Sequence, residues 1–328
     1  MKVIEIITDA GHLDTVKSMA AQYELLDFWH SAIDEDDGRV SMRILVQPDQ
    51  RQRVMDSLQG MLSASEESHV IIYETEAVWP LPQKKEAENE KKASSTTITR
   101  EELYNKIEQG ANLDGNFLLL VLLSTIVVAI GLIKNNIAVV IGAMVIAPLL
   151  GPNMALALST ALGDKVLMWR ALKSNIAGVS LAFLLCWLLG MNWTGSLESA
   201  ELISRTFVRL DGVVLALASG FAAALSLTTG LSSVLVGVMV AVALLPPTAT
   251  AGIMLGAGKY DLAMGAFLLL SVNVVCVNLS ANIIFLLKGV RPRTWLEKKK
   301  ARQSYVLFLL VWVVSLVILT AVIYYKFS

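Results

Sequence analysis

Two apolar stretches of this chain carry prolines near their middle, which is the pattern of a membrane helix with a break in it. The breaking residues are Pro148, Gly151 and Pro152 in the first stretch and Pro246 and Pro247 in the second. A proline inside a helix removes a backbone donor and leaves the carbonyl one turn earlier without its partner. The half-helix after the break presents free amides and the positive end of a dipole. The prolines therefore predict a site where helix starts bind a neutral or anionic solute and freed carbonyls accept a small cation.

Polar side chains close to these breaks are the candidate solute-binding residues. Asn153 and Thr248 follow the prolines at matching positions, where each could cap the second half-helix, and Thr250 lies two residues further on. Four asparagines stand in later apolar segments: Asn175, Asn273, Asn278 and Asn282. Burying an amide in lipid without a partner is costly, so we expect these asparagines to face an inner cavity. The alternative role for each asparagine is a hydrogen bond between helices that only holds the bundle together.

The apolar part of the sequence has no centrally placed charged side chain that could relay protons or take part in catalysis. No Asp, Glu, Lys, Arg or His stands at the predicted centre of any span, and no Ser/His/Asp set or phosphate-binding glycine loop is present. His12, His30 and His69 all lie in the polar first part, without the close spacing of a metal site. The sequence predicts no enzymatic activity, no metal site and no cofactor.

The two broken stretches belong to an internal duplication. Five residues of the first stretch align without a gap on residues 95 positions later, namely Gly142, Met144, Leu149, Leu150 and Pro152 on Gly237, Met239, Leu244, Leu245 and Pro247. Each copy is predicted to contain three spans, over 115–133, 136–162 and 170–189 in the first and 212–229, 232–257 and 262–287 in the second. Because each copy has an odd number of spans, the second copy enters the membrane in the opposite orientation to the first. Inverted repeats with broken helices are typical of secondary transporters.

Composition indicates that most of the chain lies in lipid. The 328 residues are 55% hydrophobic and 17% charged, with a mean hydropathy of +0.60. Residues 1–113 hold 12 basic and 21 acidic side chains, which argues against nucleic-acid binding by this part. Both cysteines, Cys186 and Cys276, fall inside predicted spans, so we expect reduced, packed thiols.

The sequence predicts a mainly α membrane protein with seven transmembrane helices and a small α+β domain before them. Residues 1–79 alternate strand and helix signals in the order βαββαβ, the ferredoxin-like pattern. We expect a cytoplasmic regulatory or assembly role for this domain, and the alternative is a purely structural cap. A flexible linker is predicted at 80–97, an amphipathic interfacial helix at 98–112 and the inverted-repeat domain at 113–290. A basic loop at 291–304 and a seventh span at 305–326 follow.

Loop charges predict the orientation. If the N-terminus is inside, ten basic residues lie in inner loops and five on the outer side. We therefore expect the N-terminal domain and the loop Lys288–Arg302 to be cytoplasmic and Ser328 to be external. No signal peptide is visible at the N-terminus, and the expected location is the cell inner membrane.

A specific motif links the chain to a known family. The sequence GAMVIAPLLGP from Gly142 to Pro152, with Arg100-Glu101-Glu102-Leu103 and Leu123-Ser124-Thr125-Ile126, resembles the bacterial membrane family called domain of unknown function 389. The resemblance extends over roughly residues 98–290. It implies a family but no function, because no established substrate or binding residue comes with it.

The expected function is transport of a small neutral or anionic solute by alternating access at the interface of the two repeats. An ion channel would use the same paired breaks as a passive filter, and a membrane-anchored sensor or scaffold would use the N-terminal domain to bind an effector. The expected partners are the solute, membrane lipid and further copies of the chain in a homo-oligomer. A coupling cation is an optional partner, and nucleic acid is not expected.

Overall fold

A computed structural model describes residues 1–33, 37–47, 50–62, 68–75, 99–229, 233–290, 310–323 and 325. The predicted linker at 80–97 and the basic loop at 291–304 lie outside the described residues. The chain divides into two compact units, Met1–Arg100 and Glu101–Ser328.

The first unit is a four-stranded antiparallel sheet with two helices. Its elements are β1 Lys2–Asp9, a short 3-10 helix, α1 Leu13–Gln22, β2 Asp27–His30, β3 Arg39–Val46, α2 Arg51–Leu62 and β4 His69–Glu74. The strand order is β2-β3-β1-β4, and each pair of neighbours is antiparallel. This is the order of a βαββαβ unit in which each helical connection skips one strand. Alternating residues of the central strands, such as Ile4 and Ile6, pack with Val16 and Leu58 of the helices in the core.

The opposite face of this sheet carries a buried carboxylate. Glu5 of β1 is 5% exposed and accepts hydrogen bonds from three side chains: Ser41 Oγ at 2.6 Å, Arg43 Nε at 2.9 Å and Tyr73 OH at 2.9 Å. These bonds, with that of Ser41 the largest contribution, hold the pKa of Glu5 below its ordinary value. The carboxylate therefore stabilises this unit when it is ionised.

Glu5→Gln is expected to reduce both the stability of this unit and its sensitivity to acid. Because the folded pKa is depressed, the stabilisation by Glu5 is present above the unfolded pKa of about 4.3 and is lost as pH falls through the folded pKa. The variant should lose about 1–2 kcal/mol at neutral pH and less at acid pH. Thermal unfolding of fragment 1–100 followed by circular dichroism measures both effects. Glu24→Gln, at an exposed position, is the control, and equal losses in the two variants would contradict the assignment.

The second unit is helical. Its helices are α3 Arg100–Gln109, α4 Gly115–Ile133, α5 Ile137–Ile146, α6 Leu150–Leu162, α7 Lys165–Asn192, α8 Ala200–Ser204, α9 Leu210–Thr229, α10 Ser233–Gly256, α11 Tyr260–Leu287 and α12 Leu310–Ile323. Four of them, α4, α7, α9 and α11, are long and apolar enough to cross a membrane, and α5 with α6 makes a fifth if the bent pair is one span. The prediction of seven spans is not confirmed, since Leu244–Gly256 of α10 and the described part of α12 count only as shorter apolar helices.

The predicted break at the first proline motif is present. Helices α5 and α6 meet at an angle of 55° across the short segment between Ile146 and Leu150. Ala147 is extended, with φ −66° and ψ 120°, because the ring of Pro148 disfavours a helical conformation for the residue before it. Pro152 lies inside the first turn of α6, where its missing donor costs little.

The second motif does not break its helix. α10 continues from Ser233 to Gly256 with Pro246 and Pro247 inside it, so the predicted break there is wrong. The alignment of the two copies supplies the reason, because Pro148 corresponds to Ala243 and the residue before it is therefore free to stay helical. The two prolines of α10 remove two donors without ending the helix.

Glycines bring α7 and α10 into backbone contact. A Cβ added to Gly190 would lie 2.2 Å from the Ile253 carbonyl oxygen, and one added to Gly256 would lie 2.3 Å from that of Trp187. Gly252 and Gly256 are four residues apart, which is the small-residue spacing that lets two apolar helices approach closely. α10 also packs against α9 and α11, so it lies at the centre of this unit.

Candidate functional site

A buried hydrogen bond joins the half-helix after the break to α11. Asn278 Nδ2 donates to Asn153 Oδ1 at 3.1 Å, and the two side chains are 0% and 2% exposed. Asn153 was predicted to cap α6, but the N-cap of α6 is Leu149, so Asn153 lies within the helix and its side chain is available for this contact. The bond connects a residue of each predicted repeat.

Two asparagines of α11 share one helix face because they are four residues apart. Asn278 Nδ2 also donates to the Val274 carbonyl at 2.9 Å, and Asn282 Nδ2 donates to the Asn278 carbonyl at 2.9 Å. Both side chains are fully buried, and the Oδ1 atom of each accepts no hydrogen bond from the described residues. The cluster therefore contains buried acceptors that the described residues leave unsatisfied.

The two threonines that follow the prolines of α10 are buried and differ in their hydrogen bonding. Thr248 Oγ1 donates to the Leu244 carbonyl of its own helix at 2.7 Å. Thr250 Oγ1 has no hydrogen-bond partner among the described residues, although the side chain is 0% exposed. Two residues turn an α-helix by about 200°, so Thr250 and Thr248 lie on nearly opposite sides of α10.

The remaining predicted asparagines are not joined to this cluster by a hydrogen bond between described residues. Asn273 of α11 is 7% exposed and lies five residues before Asn278, about 140° away around the helix. Asn175 of α7 is half-buried, and its Nδ2 has no hydrogen-bond partner in the described part of the chain. The predicted set of seven residues thus separates into a core of Asn153, Asn278 and Asn282, two buried threonines on α10, and two asparagines elsewhere.

Uncharged groups define the electrostatics of this unit. Every buried polar side chain among its described residues is serine, threonine or asparagine. No group of three or more His, Cys, Asp and Glu that could hold a metal ion occurs in the described ranges. Binding here would rely on hydrogen bonds and neutral oxygen ligands.

Helix α3 and the glycine after it contact residues at the two ends of α6, and the sequence did not predict these contacts. Gly110 meets Gly151 so closely that a Cβ on Gly151 would be 2.2 Å from the Gly110 carbonyl oxygen. At the other end of α6, Tyr104 OH donates to Asp164 Oδ2 at 2.8 Å. The amphipathic pattern indicated the helix, but its polar anchors gave no signal of their own because they are far apart in sequence.

Two further bonds tie the same region to α7. Arg170 Nη1 forms an ion pair with Glu108 Oε1 at 2.9 Å, and Ser174 Oγ donates to the Ala111 carbonyl at 2.6 Å. Asp164 also caps α7, since its Oδ1 accepts from the amides of Val166 and Leu167. Residues at both ends of α6 are therefore in contact with α3 or with the turn that follows it.

Tyr104→Phe is expected to destabilise this unit by about 1 kcal/mol, because it removes the donor to Asp164 at a partly buried position. Burial, followed by the Asp164 carboxylate, raises the pKa of Tyr104 to about 12. The phenol therefore keeps its proton, and its stabilising effect is complete below the unfolded pKa of about 10 and is lost as pH rises through the folded value. Thermal unfolding in detergent measures the loss. Tyr260→Phe, at an exposed position, is the control, and a variant as stable as the parent would contradict the role of Tyr104.

Comparison with known proteins places the chain in a family. The model of the family described as domain of unknown function (DUF389) matches residues 144–279, a segment that includes the break and the residues Asn153, Thr248, Thr250 and Asn278. An uncharacterized protein of the archaeon Methanocaldococcus jannaschii is 34% identical over 285 residues, which cover 87% of this chain and 88% of the relative. The family therefore extends beyond bacteria. No solved structure matches the chain. The chain therefore belongs to the family of domain of unknown function 389.

Proposed function

We propose that this protein is an integral membrane transporter for a small neutral or anionic solute, and that the Asn153–Asn278 cluster is part of its solute site. In this proposal the two predicted repeats are inverted with respect to each other and move by alternating access. The N-terminal unit is a cytoplasmic regulatory domain, the C-terminus is external, and the protein works as a homo-oligomer in the inner membrane.

One observation carries the proposal. Polar side chains with unsatisfied groups are buried on α10 and α11, and one of them, Asn278, is hydrogen-bonded to Asn153 of the bent pair α5 and α6. A buried polar group without a partner destabilises the folded state by about 1–3 kcal/mol. Three such oxygens with a purely structural role would therefore lower the stability of this unit considerably. Contact with the solute, or with an ion that moves with it, gives these groups a function that offsets the cost.

The geometry favours a neutral solute over an anion within this class. The free groups of Asn278 and Asn282 are acceptors, and no basic side chain is buried in the described part of this unit. An anion would find no positive side chain there, whereas a neutral solute needs no opposite charge.

Uptake into proteoliposomes tests the proposal. The purified chain is reconstituted, a mixture of small neutral and anionic solutes is added, and the vesicle contents are identified by mass spectrometry. Saturable uptake of at least one solute is expected. Asn153→Ala should weaken binding of that solute by about 1 kcal/mol or more per lost hydrogen bond, roughly a fivefold rise in the half-saturating concentration. Ser196→Ala, an exposed loop position, is the control and should leave uptake unchanged.

The same vesicles separate the alternatives. A channel would give ion currents that do not saturate and show no coupling. A sensor or scaffold would lose all function when residues 1–97 are removed, whereas a transporter should keep some flux. Absence of uptake by the full chain for every solute in the mixture, with intact folded protein, would count against transport.

A further inference from the structure

Three buried side-chain oxygens of the central helices have no hydrogen-bond partner in the described structure. They are Oδ1 of Asn278, Oδ1 of Asn282 and Oγ1 of Thr250, and all three residues are 0% exposed. The asparagines lie on α11 and the threonine on α10, and these two helices pack against each other. Because nearly all buried polar groups in proteins are satisfied, each of these oxygens requires an explanation.

The orientation of both amides is fixed by their donors. Nδ2 of Asn278 and Nδ2 of Asn282 each point at a backbone carbonyl one turn earlier, and a carbonyl can only accept. Exchanging nitrogen and oxygen in either amide would place two acceptors against each other. The Oδ1 atoms are therefore directed away from the backbone of α11, so a ligand at this face must be electropositive.

Thr250 differs from the other helical threonines of this unit. The hydroxyls of six others each donate to the carbonyl four residues earlier in the same helix: Thr125, Thr160, Thr228, Thr229, Thr248 and Thr320. That bond is the usual way for a buried hydroxyl to satisfy itself in an apolar helix. Thr250 does not make it, so its hydroxyl is turned away from its own helix and is available to a ligand.

We propose that these three oxygens belong to a binding site for an alkali-metal cation between α10 and α11. Hard cations take oxygen ligands, and amide and hydroxyl oxygens without a carboxylate suit a single positive charge better than a divalent ion. The described residues supply no acidic side chain near these asparagines to neutralise a second charge. The cation's role as a coupling ion rests on the proposed transport function, but its binding does not.

Thermal unfolding of the purified full chain in detergent measures binding without transport. The melting temperature is recorded in increasing NaCl or KCl, with choline chloride replacing the salt so that ionic strength and chloride stay constant. A ligand that binds only the folded state raises the melting temperature in a concentration-dependent way. We expect a saturable rise with at least one alkali cation and none with choline, which is too large for a buried site.

Thr250→Val is the most informative variant because the hydroxyl it removes makes no hydrogen bond to any residue that the structure describes. It should fold as well as the parent in choline and raise the half-saturating cation concentration at least about tenfold, the loss expected for one charge-assisted ligand. Thr250→Ser should restore binding. Thr125→Val is the matched control, since its buried hydroxyl bonds its own helix, and it should keep the parental response. Asn282→Leu should weaken binding independently of Thr250.

Each result of these melting experiments either supports or overturns the proposed cation site. A rise that is lost in Thr250→Val and Asn282→Leu but kept in Thr250→Ser and Thr125→Val supports it. No difference between alkali cations and choline in the parent would overturn it and would indicate that water satisfies these oxygens. A rise of equal size in every variant would also overturn it, because the cation would then bind elsewhere. If cation binding holds while solute uptake fails, the transport proposal fails alone; uptake without cation binding leaves transport standing.

Discussion

Replacing Gly190 by leucine is expected to prevent stable folding of the helical unit. A Cβ at this position would lie 2.2 Å from the Ile253 carbonyl oxygen and 3.0 Å from the Ile253 Cα. These are backbone atoms of α10, so no side chain can move aside, and α7 and α10 would have to separate. Overpacking of a core costs about 3 kcal/mol at the upper end of the usual range, and separating two central helices should exceed this. That is a large part of the stability of a typical domain.

The measurement is the yield of monodisperse protein in detergent and its melting temperature. Gly142→Leu is the matched control, because Gly142 is an exposed helical glycine with nothing within 4 Å of an added Cβ. That variant should retain yield and gain slightly from the better helix propensity of leucine. Parental yield and melting temperature in Gly190→Leu would show that α7 and α10 are not in close contact.

Local features of the sequence predicted the elements well. The spans α4, α7, α9 and α11 follow from runs of apolar residues whose length matches a bilayer, a signal that needs no tertiary information. The sheet of the first unit follows from period-two alternation in short segments bounded by turn residues. Both signals are strong because burial of a whole face determines them.

The continuity of α10 could have been predicted from the alignment but was not. The shared Leu-Leu and final proline suggested two equivalent breaks, whereas the structural difference depends on Pro148 in one copy and Ala243 in the other. The break arises from the steric effect of a proline on the residue before it. Prolines inside a packed helix can be tolerated when neighbouring helices hold it, which a single sequence does not reveal.

The sequence predicted which types of residue form the candidate site, but it did not predict which of these residues contact each other. The cost of burying an amide in lipid selected the asparagines, and that cost depends only on residue type and hydropathy. Which asparagines meet depends on helix packing, and for that reason Asn153 bonds Asn278 while Asn175 does not join them. The Tyr104–Asp164 contact was missed because it links residues 60 positions apart without any local pattern.

Asn278→Asp is expected to destabilise the helical unit by about 3–5 kcal/mol, the cost of leaving a charge buried and unpaired. The amide of Asn278 donates both to Asn153 Oδ1 and to the Val274 carbonyl. An aspartate has the same shape, but it would place a carboxylate oxygen against these two acceptors and remove both hydrogen bonds. The side chain is fully buried, so water cannot offset the loss, and uptake of solute should fall together with stability.

A matched substitution at an exposed asparagine separates burial from loss of the local bond. Asn192 Nδ2 donates to the Leu188 carbonyl at 2.8 Å, four residues earlier, just as Asn278 donates to Val274, but Asn192 is exposed at the end of α7. Asn192→Asp therefore loses the same kind of bond while water solvates its charge, and it should cost less than about 1 kcal/mol. Melting temperatures of the two variants in choline chloride compare them without an alkali cation to pair with the new charge. Equal, small losses would show that Asn278 is open to water, and the cluster around Asn153 would then be a solvated surface and not a buried site.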